Sequence, residues 1–525
     1  KPYHQLVGGN RHQDFAYVGN AMPNSQQWRD AKRLRKAGMV IVRCAHYPMD
    51  PAFMDACDEL GLFVIVPTPG WQYWNKDPRF GELVHENTRN IIRRDRNTCV
   101  LMWEPILNET RYPEDFAIKA LQITKDEFPY PGRPAAVADV QSAGVRDNYD
   151  VVYDWADNIG KGNWPEDKCV FTREFGEMVD DWYAHNNINR AARSWGERPM
   201  LMAALSLCDT YGEMYHGQRQ FIGGCQWHPF DHQRGYHPDT YYGGIYDAFR
   251  QKKYAFEMFR SQDRNAEPMV FIANEMTQFS DNDVTVFSNC DSVRLTMFEG
   301  DKVMTLPVVH NDNDKPCAPV VFKDFWNFWA AREYSYKQRN WQRVSLLAEG
   351  IKDGKVVAVQ KKMPSRRSTK LRLYADDMGR KLNADGSDFI VVVAEVTDDN
   401  GNVKRLAKDN IYFTVEGEGR IIGDGENIMA NPRIVEWGSA PVLIQATDKP
   451  GKITIKARSY YDGVYAPAAA ELTIESVAPT LPACYTDKPT ATVSKPVRTT
   501  GETKQTMTDE ERQRTLEEVN KQQAE

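Results

Sequence analysis

The sequence predicts a multidomain chain, a (β/α)8 TIM barrel followed by two β-sandwich, immunoglobulin-like domains and an extended tail. Three textures along the chain carry that reading. From residue 1 to 265 short apolar strands alternate with amphipathic helices, the pattern of a parallel sheet with its helices outside. From 266 to 364 and again from 365 to 477 the helices give way to alternating strands and hairpin turns. From 478 to 525 Pro, Thr and Lys replace the large apolar residues. At 525 residues the chain exceeds one core, and a prior of ~150 residues per domain allows three or four.

Eight strands are expected in the first segment: Leu6–Gly9, Val40–Ala45, Leu62–Val66, Val100–Trp103, Ala135–Ala138, Val151–Tyr153, Val170–Arg173 and Phe221–Trp227. Eight is the number that closes a barrel. Between them, Ser25 is expected to cap a helix through Trp28–Lys36 ending at Gly38, Asp50 and Pro51 to open Ala52–Leu60 ending at Gly61, and Pro78–Arg94 to form the third. Helices between strands five and seven are not marked by comparable signals. An open doubly wound sheet is the alternative, but no Gly-rich phosphate loop accompanies these strands. The Arg89, Arg93, Arg94 and Arg96 run reads as the solvated face of the third helix, bridged to nearby acids.

The first sandwich is expected from Met269–Ala273, Val284–Asn289, Val293–Phe298, Val303–Pro307, Val344–Glu349 and Val356–Lys361. In the second, a hairpin at Asp398-Asp399-Asn400-Gly401 joins Phe389–Val396 to a strand at Val403–Leu406. The tail ends in a weakly anchored helix, with Thr508 and Glu511 as a capping box and Leu516 and Val519 as its apolar contacts.

A net charge of −7 with dispersed Lys and Arg argues against nucleic acid as a partner. No run of eighteen apolar residues marks a membrane span. The nine cysteines are scattered singly, without a C-x-x-C pair, and read as buried free thiols rather than as a disulfide framework or zinc site. Free thiols speak mildly against a harshly oxidising compartment.

The chemistry is expected at the C-terminal ends of the barrel strands. Val100-Leu101-Met102-Trp103 runs into Glu104-Pro105-Ile106-Leu107-Asn108-Glu109, and Cys169-Val170-Phe171-Thr172-Arg173 into Glu174-Phe175-Gly176. Two strands that each deliver a carboxylate into one cleft suggest paired acid/base and nucleophilic work. Around them fall Asn10, Arg11, His12 and Asp14 after strand one, Arg43, His46 and Tyr47 after strand two, Trp71, Tyr73 and Trp74 after strand three, and Trp227, His228, Asp231 and His232 after strand eight. Glu104 and Glu177 are the rivals for the two carboxylate roles. His228 and His232 are four apart, but Pro229 between them breaks helical spacing and no third ligand is evident, so no metal site is expected.

These motifs, in this order, resemble glycoside hydrolase family 2, the β-galactosidase and β-glucuronidase group. The match rests on Gly9-Asn10-Arg11-His12, Arg43-Cys44-Ala45-His46-Tyr47-Pro48, Cys57-Asp58-Glu59-Leu60-Gly61-Leu62, Trp103 with Asn108-Glu109, Arg173-Glu174-Phe175-Gly176, and Gly223-Gly224-Cys225-Gln226-Trp227. The resemblance implies that Glu109 is the general acid/base and Glu174 the nucleophile of a retaining hydrolase. It implies that Asn108 binds the sugar 2-hydroxyl, that His12, Arg43 and His46 bind hydroxyls or support the nucleophile, and that Trp227 faces the sugar ring. Trp71 and Trp74 are then walls for the leaving group, Tyr153 the tyrosine that relatives place near the nucleophile, and Asp231 and His232 further substrate contacts.

Three departures from the family pattern sharpen the expectation. Val66-Pro67-Thr68 stands where many members carry a Glu used for Mg²⁺, so neither metal nor cofactor is expected. No Asn-x-Lys signature follows strand eight, which tilts the choice from glucuronide toward galactoside. The family's N-terminal jelly roll and first sandwich would precede strand one, so activity is expected to need an N-terminal portion. The reading is a retaining exo-β-galactosidase acting on an oligosaccharide, with another β-glycosidase or β-glucuronidase as the alternative within the class. A non-catalytic glycan-binding chain is the alternative outside it. The sandwiches would serve as scaffold, homo-oligomer contact or accessory sugar-binding modules, and polysaccharide-degrading relatives imply a periplasmic or secreted location.

Overall fold

Eight parallel strands wind into the barrel: β1 (Leu6–Arg11), β2 (Ile41–Cys44), β3 (Phe63–Pro67), β4 (Val100–Glu104), β5 (Ala136–Val137), β6 (Val151–Tyr153), β7 (Cys169–Phe175) and β8 (Phe221–Gln226). Their order is β4-β3-β2-β1-β8-β7-β6-β5. A parallel bridge between Trp103 and Ala135, with Trp103 N–H donating to Pro134 O at 3.0 Å, closes β4 onto the start of β5. The structure, a computed structural model, describes residues 5–107, 110–130, 133–137, 144–156, 168–176, 187–215, 217, 219–233, 240–425, 428–460 and 462–480, together with Glu510, Gln513, Arg514 and Glu517.

The strands read as near-continuous apolar runs because both faces are covered, one by the barrel interior and the other by helices. The helices are α1 (Asn24–Lys36), α2 (Pro51–Leu60), α3 (Pro78–Asp95), α4 (Glu114–Glu127), α5 (Glu197–Glu213) and α6 (Tyr254–Ser261). Asp50 caps α2 by accepting the Ala52 N–H, and Gly61 ends it in the left-handed conformation. Helix α3 starts at Asp77 in the same way, and its arginine run bridges to Glu127 on α4, through Arg89 at 3.2 Å and Arg93 at 2.7 Å.

The start of α1 differs from expectation. Ser25 is not its cap: the helix begins one residue earlier, and the carbonyl of Pro23 accepts the N–H groups of Gln26 and Gln27 instead. In β1, Gly8 is a packing requirement, since a Cβ there would lie 1.6 Å from the Ile41 carbonyl oxygen of β2. That close approach draws the ends of β1 and β2 together.

Beyond α6, one sandwich pairs the three-stranded sheet of Val270–Ala273, Val284–Ser288 and Val320–Phe322 with the four-stranded sheet of Lys302–Pro307, Ser292–Met297, Leu346–Lys352 and Lys355–Lys362. Val320–Phe322 was not expected. The next sandwich is built on Phe389–Thr397, which pairs along one edge with Lys370–Asp376 and along the other with Ser439–Ala446. The hairpin turn at Asp398–Gly401 forms, but the expected strand Val403–Leu406 does not, and only a single bridge joins Val403 to Thr397. Both edges of Phe389–Thr397 are already taken, so the returning segment has no ladder to join.

Buried ion pairs tie the barrel to this second sandwich. Arg29 on α1 donates to Asp388 Oδ1 at 3.1 Å and to the Phe389 carbonyl at 2.8 Å, and Arg33 meets Asp376 at 2.8 Å. The chain divides at Ala478/Pro479 into two compact units. Of the second unit only Pro479, Thr480, Glu510, Gln513, Arg514 and Glu517 are described, the last four helical, so the rest of the expected linker and the capping box at Thr508 and Glu511 lie outside the described residues. Eight of the cysteines are free, six of them buried; Cys484 is not among the described residues. No helix among the described residues is long and apolar enough to cross a membrane.

Candidate active site

At the mouth of the barrel the organising group is Arg43, the third residue of β2 and fully buried. Its side chain points inward, where β1, β4 and β7 supply partners. Nε and Nη2 donate to the two oxygens of Glu104 at the end of β4, both at 2.9 Å. Nη1 donates to Asn10 Oδ1 of β1 at 3.0 Å and to Glu174 Oε1 of β7 at 3.1 Å. Asn10 in turn donates to the carbonyl of Arg173 at 2.9 Å, fixing β1 against β7 beside Glu174. One guanidinium thus sets the relative positions of three strands. Burial works against its charge, but the Glu104 carboxylate outweighs that penalty and holds Arg43 firmly protonated.

Glu174 and Glu104 are both inward carboxylates on neighbouring sides of Arg43, yet they differ in access. Glu104 is wholly buried and bonded to Arg43 through both oxygens, with Tyr153 O–H donating to Oε2 at 3.2 Å. Glu174 keeps 11% of its side chain exposed. Glu104 serves as an anchor for Arg43, whereas the Glu174 carboxylate is open to solvent; Glu109 and Glu177, the other two carboxylates weighed for the catalytic roles, lie outside the described residues.

Beside this network lies a cavity of about 240 Å³ lined by His12, Asp14, Tyr47, His46, Trp71, Trp227 and His232, with Asn20 and Gln233 at its edge. His46 is sandwiched between two indoles, with centroids 5.6 Å from Trp71 and 5.2 Å from Trp227 and rings within 11° of parallel. His232 stacks on His12 at 4.9 Å and on His228 at 3.9 Å. Burial, reinforced by the Arg43 charge, pushes the His46 imidazole well below its usual range, so it is neutral at physiological pH. Its Nδ1 lies 3.5 Å from Arg43 Nη1, where a neutral imidazole can accept. Burial also lifts the Asp14 carboxyl to about 6 against the pull of Arg250 and Arg11.

Of the residues expected at the site, His12, His46, Trp71, Trp227 and His232 therefore meet around one cavity, with Arg43 and Glu174 alongside. Glu109 and Asn108 lie outside the described residues, as does Glu177. Three expectations are corrected. Trp74 is not a cavity wall: it packs on Phe80 and Phe116, at 5.4 and 4.9 Å, in an apolar cluster under α3 and α4. Tyr153 is fully enclosed and spends its hydroxyl on Glu104 rather than on a ligand. Asp231 is buried as well, its Oδ1 accepting from Lys253 Nζ at 2.7 Å and the Gly244 N–H at 2.9 Å, which pins the loop after β8.

Two contributors had weaker sequence signals. Asn10 and Asp14 stand in the Asn10-Arg11-His12-Gln13-Asp14 run, where position alone did not separate ligand contacts from scaffold. Asp14 is held at the cavity from behind: Arg250 donates to its carbonyl at 2.6 Å and to Asp30 at 3.0 Å, and Arg11 meets Asp30 at 3.0 Å. Among the described residues no group of three or more His, Cys, Asp and Glu side chains is placed to hold a metal ion.

Known proteins resemble this chain in sequence and fold. Residues 3–156 match the family described as glycosyl hydrolases family 2, TIM barrel domain, and residues 371–461 match glycoside hydrolase family 2 C-terminal domain 5. The barrel and the second sandwich belong to glycoside hydrolase family 2. A β-galactosidase of Thermoanaerobacter pseudethanolicus is 31% identical over 475 residues, 87% of this chain and 60% of the relative. Another, of Thermoanaerobacterium thermosulfurigenes, is 26% identical over 465 residues, 80% of this chain and 60% of the relative. The chain thus spans 60% of the length of each of these two relatives. The fold is similar to that of a β-glycosidase from Bacteroides vulgatus, with a TM-score of 0.69, 18% identity, and coverage of 90% of this chain and 64% of that one.

Proposed function

We propose that this chain carries the hydrolytic centre of a retaining exo-β-galactosidase, with Glu174 as nucleophile and Glu109 as general acid/base. The observation that supports it most is the reachable Glu174 carboxylate, gripped by Arg43 at 3.1 Å beside a cavity walled by stacked indole and imidazole rings. Aromatic faces suit the apolar side of a pyranose ring, and the surrounding imidazoles suit its hydroxyls.

In this mechanism Glu174 attacks the anomeric carbon while Glu109 protonates the departing glycosidic oxygen. Glu109 then takes a proton from the water that releases the sugar. Retaining chemistry calls for the two carboxyl groups ~5–5.5 Å apart, and the ends of β4 and β7 are the origins assigned to them. Arg43 supplies the counter-charge and fixes the rotamer of Glu174. Asn108 would hold the 2-hydroxyl, a contact that strengthens as the oxocarbenium character develops. The two bacterial β-galactosidases that align along most of this chain favour galactoside over glucuronide.

The test is hydrolysis of an aryl β-galactoside, with the aryl β-glucuronide alongside, by the chain and by its Glu109→Gln and Glu174→Gln variants. Galactoside turnover should fall by at least about 10²-fold without the acid/base and further without the nucleophile, and NMR should find the β-anomer formed first. An inverted first product, or turnover indifferent to Glu174, would overturn the mechanism; preferred cleavage of the glucuronide would overturn the sugar.

A further inference from the structure

Between the two sandwiches lies a cleft of about 610 Å³ that shares no lining residue with the barrel cavity. One wall is the segment from Phe328 to Trp341, where a short α-helix runs into a single π-helical turn at Glu333–Lys337. The other walls are the connection Met363–Arg367 and the loop Val403–Leu406, the stretch that failed to become a strand.

Its charge is lopsided. Arg332, Arg366, Arg367, Lys404 and Arg405 face one carboxylate, Glu275. Glu275 is already committed, to Lys362 at 2.7 Å, to Arg405 at 3.4 Å and to the Tyr254 hydroxyl at 2.9 Å. Among the described residues Arg332, Arg366, Arg367 and Lys404 make no ion pair at all. In a chain of net charge −7, four such cations around one cleft repel one another, and a bound anion would relieve that repulsion.

The cations are also presented in a particular way. The Arg366 guanidinium lies 4.0 Å over the Trp341 ring, and Arg332 lies 5.1 Å over Tyr336, whose ring is 71% exposed. Stacking on a ring face leaves the in-plane N–H fork of a guanidinium pointing outward, the geometry that grips a sulfate or carboxylate through two hydrogen bonds. The cleft continues into a second cavity of about 450 Å³ through Thr277, Arg405 and Leu406, which adds Trp195 and the exposed Phe279. A groove that alternates aromatic faces with unpaired cations fits a polymer of rings carrying acid groups.

We propose that this groove binds an anionic saccharide chain, one bearing sulfate or carboxylate groups, and so holds a polymeric substrate apart from the barrel cleft. The saccharide part of the assignment rests on the glycosidase reading above; the anionic part rests on the unpaired cations alone.

Calorimetric titration of the Glu174→Gln chain tests it without hydrolysis, using four hexameric probes: a sulfated galactan oligosaccharide, an oligogalacturonate, neutral maltohexaose and polyphosphate. The expected result is binding of the sulfated or the carboxylated sugar, whichever binds identifying the acid group, at least tenfold tighter than either maltohexaose or polyphosphate. Arg366→Glu with Arg367→Glu should weaken it at least tenfold, Arg366→Lys much less, and aryl galactoside hydrolysis by the otherwise unmutated chain should not change. Should the double variant misfold, Lys404→Glu gives the same readout. Equal binding of polyphosphate would overturn the saccharide assignment, equal binding of maltohexaose the anionic one. Failure of both acidic sugars to bind, or binding indifferent to the arginines, would overturn the site. A chain that binds without ever hydrolysing would keep this proposal and sink the catalytic one.

Discussion

Arginine is used in opposite ways at the barrel mouth and in the groove between the sandwiches. Arg43 is buried and spends its donors on Glu104, Asn10 and Glu174. Arg366 is exposed, lies on Trp341, and meets no carboxylate among the described residues. A buried guanidinium must be paired, because desolvating it costs several kcal/mol that only carboxylates can offset. An exposed one is under no such demand, so its pairing state reflects what the surface is for. The first arginine builds a site for a carboxylate of the protein; the others offer one to an anion from outside.

The comparison breaks most forcefully at Arg43. Arg43→Ala leaves Glu104 as a buried charge without its counter-ion, and removing one partner of such a pair costs roughly 3–5 kcal/mol. A large fall in the barrel's urea midpoint is expected, together with loss of glycoside turnover. A stable but inactive variant would mean that Glu104 takes up a proton easily, so that Arg43 serves Glu174 alone.

How much of this was visible beforehand depends on what each residue had to satisfy. The eight strands and helix α2 were legible because apolar runs, Asp50 and Gly61 are local signals that the fold leaves unopposed. The cavity residues at the ends of β1, β2 and β8 were legible because barrel topology gathers strand ends. Tyr153, Asp231 and Trp74 were misread for a common reason: an inward or loop residue can serve the ligand or its neighbours, and Glu104, Lys253 and Phe116 lie far off in sequence. Val403–Leu406 was misread because its alternation is that of a strand, while the edge it needed had been taken by Ser439–Ala446. Val320–Phe322, three residues long and set among prolines, has too little pattern to announce itself.

A smaller effect sharpens the comparison with two carboxylates at the groove's edge. Glu275, facing Lys362 and Arg405, is held down at about 2 despite its burial. Glu197, buried beside it at the start of α5, accepts from Ser280 Oγ and the Glu275 N–H and pairs with no cation among the described residues, and burial lifts it to about 7 against the weaker pull of these hydrogen bonds and of Lys362. The folded value for Glu197 lies above the unfolded 4.5, so its contribution to stability is complete below pH 4.5 and is lost as pH rises through 7. Glu197→Gln keeps the neutral form at every pH. Its stability relative to the unmutated chain should therefore grow between pH 5 and 8, by up to about 3 kcal/mol, as melting curves across that range would show. A difference that stays flat with pH would mean that Glu197 is not protonated in the fold.

The smallest effect is expected at Arg366, and its smallness is the point. Arg366→Ala forfeits one cation-on-ring contact at an exposed site, worth roughly 0.5–1 kcal/mol, and relieves some repulsion from Arg367 and Lys404 in return. The urea midpoint should move by less than about 1 kcal/mol in equivalent stability. Added salt should widen that difference slightly, since it screens the repulsion whose relief offsets the lost contact. A loss as large as the one expected at Arg43 would show that Arg366 holds the two sandwiches together. The groove's cations would then be scaffold, and the distinction between paired and waiting arginines would fail where it was drawn.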